Sequence, residues 1–167
     1  MMRIPNAQPI TRRIPVPSPG ANAEFSVVND HGGNWLVRGL TFTLLTDANV
    51  ASRSTLLRVA ADVDVWFATT AAFTQTAGAT VRYAACQGSQ ATAGNGGAVM
   101  FTWPTNGLLM PLGHVLSTVT ASRQVGDTYA GIFLDVLEFP ETYPEWLMPM
   151  APLFAYRYDP DDTPQGS

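Results

Sequence analysis

The chain has 167 residues, enough to bury one good core and too few for two ordinary domains. Its charged residues make up 13% and its net charge is −4. All nine cations are Arg, none in a denser cluster than Arg12 and Arg13, so nucleic-acid binding, which needs several spaced cations, is not expected. No stretch is long and apolar enough to predict a membrane span. A surface this poor in charge must be covered by Thr, Ser, Asn, Gln, Ala and Gly or hidden against other chains, which suits a subunit of an assembly.

Residues 1–21 contain Pro5, Pro9, Pro15, Pro17 and Pro19. Repeated prolines remove amide donors and restrict φ, so this segment predicts an extended N-terminal arm able to lie along a neighbouring subunit. Its charges precede no apolar run, and no signal peptide is expected. A sandwich domain over residues 22–139 follows. "AEFSVVN" and "NWLVRGLTFTLLT" read as strands around a turn at Asp30, His31, Gly32 and Gly33. In the second, Trp35 and Val37 share one parity and Leu40, Phe42 and Leu44 the other, and a bulge at Gly39 would restore a single inward face.

After the loop Asp47–Ser52, "RSTLLRVAADVDVWFATT" alternates as one strand. Leu57, Val59, Ala61, Val63 and Val65 lie on one face, and Arg58, Asp62 and Asp64 on the other. "ATVRYAACQ" is a further strand, whose Cys86 reads as a small buried hydrophobe; a lone cysteine forms no internal disulfide. "GSQATAGNGG" is too rich in Gly and small polar residues to pack and predicts a projecting loop. "AVMFTWP" is a short strand, and Asn106 and Gly107 form a turn. "VLSTVTASRQVGDTYAGIFLDVLEF" then reads as a hairpin turning at Gly126 and Asp127, with Asp127 accepting backbone amides as a connector rather than serving as an acid.

Residues 140–167 carry Pro140, Pro144, Pro149 and Pro152 among Trp146, Met148, Phe154, Tyr156 and Tyr158. An aromatic composition of this kind predicts a second extended arm that packs against something, the sandwich or a neighbour. With seven or eight short strands and no amphipathic helix, the fold class is all-β. An antiparallel β-sandwich is expected, with jelly roll favoured over immunoglobulin-like.

Chemistry-bearing constellations are sparse. His31 and His114 lack metal-ligand spacing and read as turn or rim residues. The cupin reading natural to a jelly roll fails for want of paired histidines. Asp62 and Asp64 raise the two-carboxylate arrangement of glycoside hydrolases, but their polar face alongside Arg58 reads as a solvated or subunit-facing surface. No nucleophile elbow is present, and "GNGG" leads into a strand rather than the helix that a phosphate loop requires. No catalytic residue, cofactor or metal is therefore assigned, and the protein is not expected to be an enzyme. Among the tryptophans, Trp35 and Trp66 lie within strand patterns and are expected in the core. Trp103 and Trp146 adjoin prolines and are expected at an interface.

"WLVRGLTFTLLTDANVASRSTLLRV" and "MPLGHVLSTVTASRQVGDTYAGIFLDVLEF" resemble a group of small virion proteins of tailed bacteriophages. In that group a strand ends in a Thr-rich "LLTDANVASR" turn, and an "ASRQVGDTY" connection in a penultimate hairpin precedes a final "LDVLEF" strand. The resemblance covers Trp35 to Arg58 and Met110 to Phe139. It implies a non-enzymatic β-sandwich component of the virion, a capsid decoration or cement protein made in the host cytoplasm and placed on the capsid surface. Its partners would be the major capsid protein or other virion proteins, and it would be a homo-oligomer, with a trimer as one arrangement. Arg12, Arg13, Trp103, Trp146, Met148, Phe154, Tyr156 and Tyr158 are the expected interface residues. A receptor- or carbohydrate-binding module of a tail or head fibre is the alternative.

Overall fold

The computed structural model describes residues 9–30, 33–93 and 97–140. Among these residues ten strands make two sheets. They are β1 (Ile10–Val16), β2 (Ser26–Val28), β3 (Trp35–Leu45), β4 (Arg53–Ala61), β5 (Asp64–Gln75), β6 (Thr80–Cys86), β7 (Val99–Met100), β8 (Leu108–Met110), β9 (Val115–Ala121) and β10 (Thr128–Glu138). The first sheet runs β1-β10-β3-β6-β7 with β8 also on β3, and the second runs β2-β9-β4-β5. The chain is an all-β, two-sheet sandwich, antiparallel throughout except where β7 joins β6.

Alternation places the core. On β3, Leu40, Phe42 and Leu44 face inward with Tyr83 and Ala85 of β6 and Tyr129, Ile132 and Leu134 of β10. Phe42 is the hub, stacked on Tyr83 at 5.1 Å and edge-on to Phe25 at 5.2 Å and Tyr129 at 5.6 Å. Such pairs contribute about 0.5–1.5 kcal/mol each beyond the area they bury. Gln75 crosses between the sheets, donating to the carbonyls of Leu44 and Ala79 and accepting from the Tyr83 hydroxyl. The expected irregularity at Gly39 is present: Gly39 faces Asp135 and Val37 faces Val136, which leaves Arg38 as the extra residue. The shift turns Val37 and Leu40 into the same interior, as a bulge does.

Several expectations are corrected. The stretch 1–21, expected as an extended N-terminal arm, contains β1, which pairs within the chain with β10 from Ile10↔Glu138 to Val16↔Ile132. Pro15 is tolerated because β1 is an edge strand. The single strand read across Asp62 and Asp64 is a hairpin. β4 and β5 meet at Ala61↔Asp64, and Asp62 and Val63 form the turn. That turn holds neither Gly nor Pro, and Asp62 adopts φ +50°, which Asp tolerates better than most side chains. The Ala- and Thr-rich stretch that follows continues β5 to Gln75.

The segments flanking Gly126 and Asp127 do not pair with each other. β9 lies between β2 and β4, whereas β10 lies between β1 and β3 in the other sheet. Alternation on both sides of a Gly-Asp dipeptide cannot distinguish a hairpin from a connection that carries the chain across the roughly 10 Å between packed sheets. Cys86 is exposed, because the inward residues of β6 are Tyr83 and Ala85.

Candidate functional site

The most highly connected polar cluster lies where β9 hands the chain to β10. Asp47 follows β3, Arg53 opens β4 and Asp127 precedes β10. The three therefore come from both sheets. Arg53 and Asp127 have side chains 0% exposed. The Arg53 guanidinium grips Asp127 with two bonds, Nε to Oδ2 at 3.0 Å and Nη2 to Oδ1 at 3.0 Å. Nη2 also donates to Asp47 Oδ1 at 2.7 Å, and Nη1 donates to the carbonyls of Asn49 and Ala51. All five guanidinium N–H groups are thereby used, the condition under which a buried cation is tolerated.

Asp127 is equally saturated. Besides Arg53, its Oδ1 accepts the Asp47 amide and its Oδ2 the Gln124 amide, each at 2.9 Å. Burial alone pushes this carboxyl upward. The bond from Arg53, the amides of Gln124 and Asp47 and the charge of Arg53 together outweigh burial and hold it below the usual aspartate value. The bond from Asp127 is also the main cause raising Arg53 above its ordinary value, against the opposing effect of burial. An ionised carboxylate with every lone-pair direction occupied has no position left for moving a substrate proton. Asp127 is a connector, as the sequence suggests, though it joins two sheets rather than the arms of a hairpin.

A second cluster backs the first. Glu24 accepts the Thr120 amide at 2.8 Å and the Tyr129 hydroxyl at 2.9 Å, and pairs with Arg123 at 3.3 Å. Burial pushes the Tyr129 phenol well above its ordinary range, so it stays a neutral donor, bonded also to Thr120. Arg123 lies over the Tyr129 ring and donates to the Asp127 carbonyl. Glu24, Asp47, Arg53 and Arg123 were not singled out by sequence reasoning. The available signal was an Arg and two acids placed at strand ends, where a polar side chain can enter the interior without breaking the apolar alternation.

Gly126 lets the two loops touch. Its amide donates to Asp47 Oδ2 at 3.3 Å, and a Cβ there would lie 2.7 Å from the Asp47 Cβ. Gly126→Ala is expected to push Asp47 from Arg53 and cost about 1–3 kcal/mol, read as a lowered midpoint in urea unfolding. An unchanged midpoint would mean that the Asp47 loop moves freely.

Of the expected interface residues, Arg12, Arg13 and Trp103 lie among the described residues. Arg12 pairs with Glu138 at 2.5 Å, and Arg13 lies over the Phe133 ring at 4.7 Å and 3.9 Å from Asp135. Both Arg side chains remain about half exposed on β1. Trp103 is 2% exposed and donates its indole N–H to the Val37 carbonyl. It belongs to the core, because after β7 the chain turns inward and carries Phe101 and Trp103 with it. Trp35 is in the core as expected, but Trp66 is 66% exposed, lifted out at a register shift in β5. Trp146, Met148, Phe154, Tyr156, Tyr158 and His31 lie outside the described residues. His114 is buried against Trp66, ring centroids 4.8 Å apart. No group of three or more His, Cys, Asp or Glu able to hold a metal occurs among the described residues.

On the outer face of the first sheet an open groove of about 510 Å³ is lined by Thr11, Arg38, Thr41, Cys86, Gln87 and Asp135 among others. Arg38 Nε donates to Gln87 Oε1 at 3.3 Å. Among the described residues that line it none is aromatic.

No protein-family model matches the chain, and no curated protein matches it. A chain from the crystal structure of the T13 IBDV viral particle is similar to it at 15% identity and a TM-score of 0.37, across 80% of this chain and 32% of that one.

Proposed function

We propose that the protein is a non-enzymatic structural component of a tailed-bacteriophage virion, a decoration or cement protein that binds major capsid subunits on the head surface. The observation that carries this reading is the convergence of the two segments with virion-protein resemblance. "LLTDANVASR" supplies Asp47 and Arg53, and "ASRQVGDTY" supplies Arg123, Gly126 and Asp127, all joined in one clasp. The residues that make those segments distinctive are thus spent on fastening two sheets together.

Strand order supports a jelly roll. With the short β7 and β8 set aside, the sheets run β1-β10-β3-β6 and β2-β9-β4-β5. This is the order produced when a long antiparallel ribbon folds over into two four-stranded sheets. Fold alone does not select function, and the assignment to a virion rests on the resemblance. The C-terminal segment is the candidate strap onto neighbouring capsid subunits, through Trp146, Met148, Phe154, Tyr156 and Tyr158. At the other end, β1 is engaged in the sandwich, and its half-exposed Arg12 and Arg13 are the candidates for contact.

Addition of the purified chain to heads lacking it, with bound protein counted after sedimentation, tests the reading. Saturable binding to assembled shells is expected. Replacing Trp146, Tyr156 and Tyr158 together by Ala should weaken it by about 100-fold without moving the unfolding midpoint. Failure to bind any head or connector surface, together with binding to a glycan, would sink the proposal in favour of a receptor-binding module.

A further inference from the structure

We propose that the outer face of the β2-β9-β4-β5 sheet is a two-fold self-association surface whose occupant is a second copy of this chain. The inference does not depend on the virion reading. It starts from an asymmetry between the faces of the sandwich. The outer face of the first sheet presents Arg13, Arg38, Arg82 and Asp135. That of the second presents a single charged side chain, Arg58, on its paired positions.

Register arranges the rest of this second face in cross-strand rows. Val28 faces Val115, Val115 faces Ala60, and Ala60 faces Val65. Directly opposite residues of an antiparallel sheet project to the same side. These four therefore form one apolar row across the full width of the sheet, with Val28 and Val65 well exposed. Exposed Trp66 adjoins the row on β5, and Val63, at 91% exposure, stands at the hairpin tip beside it. A contiguous apolar strip of this kind with an aromatic at its margin marks an association site rather than scattered surface hydrophobes.

Charge placement selects the occupant. Arg58 precedes Ala60 by two residues on β4, whereas Asp62 lies in the turn beyond Ala61 and Asp64 opens β5, so the cation and the carboxylates of the hairpin end stand on opposite sides of the row. Among the described residues neither Asp62 nor Asp64 forms an ion pair, and Arg58 donates only to Ser117 Oγ, at 3.2 Å. A two-fold axis lying along the row maps each side onto the other. It sets Val28, Ala60 and Val65 against their own counterparts and brings Arg58 of each copy opposite the Asp62–Asp64 hairpin end of its partner. An isologous interface requires this self-complementarity, which an unrelated partner would meet only by coincidence.

Sedimentation equilibrium of the full chain between roughly 1 and 100 μM is the test. A dimer is expected, twice the 17.9 kDa chain mass. Val65→Asp and Ala60→Arg should each return it to a single-chain mass with the far-UV spectrum unchanged. Arg58→Asp should weaken dimerisation about tenfold, and adding Asp62→Arg to it should recover most of the loss. This recovery cannot come from a general folding defect, which the second substitution would only deepen. A single-chain mass for the wild type throughout the range, a trimer, or a dimer that Val65→Asp leaves intact would each overturn the proposal.

Discussion

Asp127→Asn is expected to lower the stability of the fold by about 3 kcal/mol, the cost of depriving a buried cation of the fully buried one of its two counter-ions, with Asp47 alone remaining. In a domain of this size that corresponds to a fall in melting temperature of roughly 10 °C. The substitution keeps shape and volume, so the loss reports charge and hydrogen bonding alone. Arg53→Met should cost a similar amount, because it strands the Asp127 carboxylate at zero exposure. The double variant Arg53→Met with Asp127→Leu should recover only part of the loss, since it removes the stranded charge but leaves the Asp47 and Gln124 amides without their acceptor. A catalytic Asp127 would give the opposite pattern, with stability unchanged or raised by the single substitution.

Acid provides a second readout of the same clasp. The folded state holds the Asp127 carboxyl below its ordinary value. Its stabilisation is therefore complete above the unfolded-state value near about 4 and is lost as pH falls through the folded one. The wild type should lose stability progressively below about pH 4, and the Asp127→Asn profile should be flatter there. Urea midpoints measured across that range check the sign. A wild-type curve no steeper than that of the variant would mean that the pair contributes nothing net.

The clasp also marks how far sequence reading reaches. Alternation located the interior faces of β3 and β4, and parity within "NWLVRGLTF" located the bulge beside Gly39, whereas on β6 it put Cys86 in the core and missed Tyr83 and Ala85. Those signals are local, written at a spacing of two residues. What alternation could not supply was partnership. It joined β4 to the start of β5 because the Asp62–Val63 turn lacks Gly and Pro, and it folded β9 onto β10 because a connection between sheets has the same composition as a hairpin loop. The clasp was legible only in part for the same reason. Asp127 stood out as a turn acid, but its partners lie 74 and 80 residues away, and nothing within either segment announces the other.

Trp103 puts that limit to a quantitative test. Its proline neighbour places it at a strand end, where a tryptophan reads as an interface anchor. Its burial against Phe67, with ring centroids 5.5 Å apart, and its indole bond to Val37 at 3.1 Å make it part of the core instead. Trp103→Ala is expected to cost about 3–5 kcal/mol, through the lost aromatic volume and a Val37 carbonyl left without its donor. Trp103→Phe should cost less, keeping much of the packing while forfeiting the bond. Unfolding curves for the isolated protein decide the matter without any partner present. An interface tryptophan truncated to Ala would leave the curve in place and change only binding, whereas a core tryptophan shifts the curve and alters binding only in proportion to the protein unfolded. Trp66→Ala is the matched control: with its ring largely in solvent, it should move the midpoint little, so the two tryptophans should exchange the roles that their sequence contexts suggest.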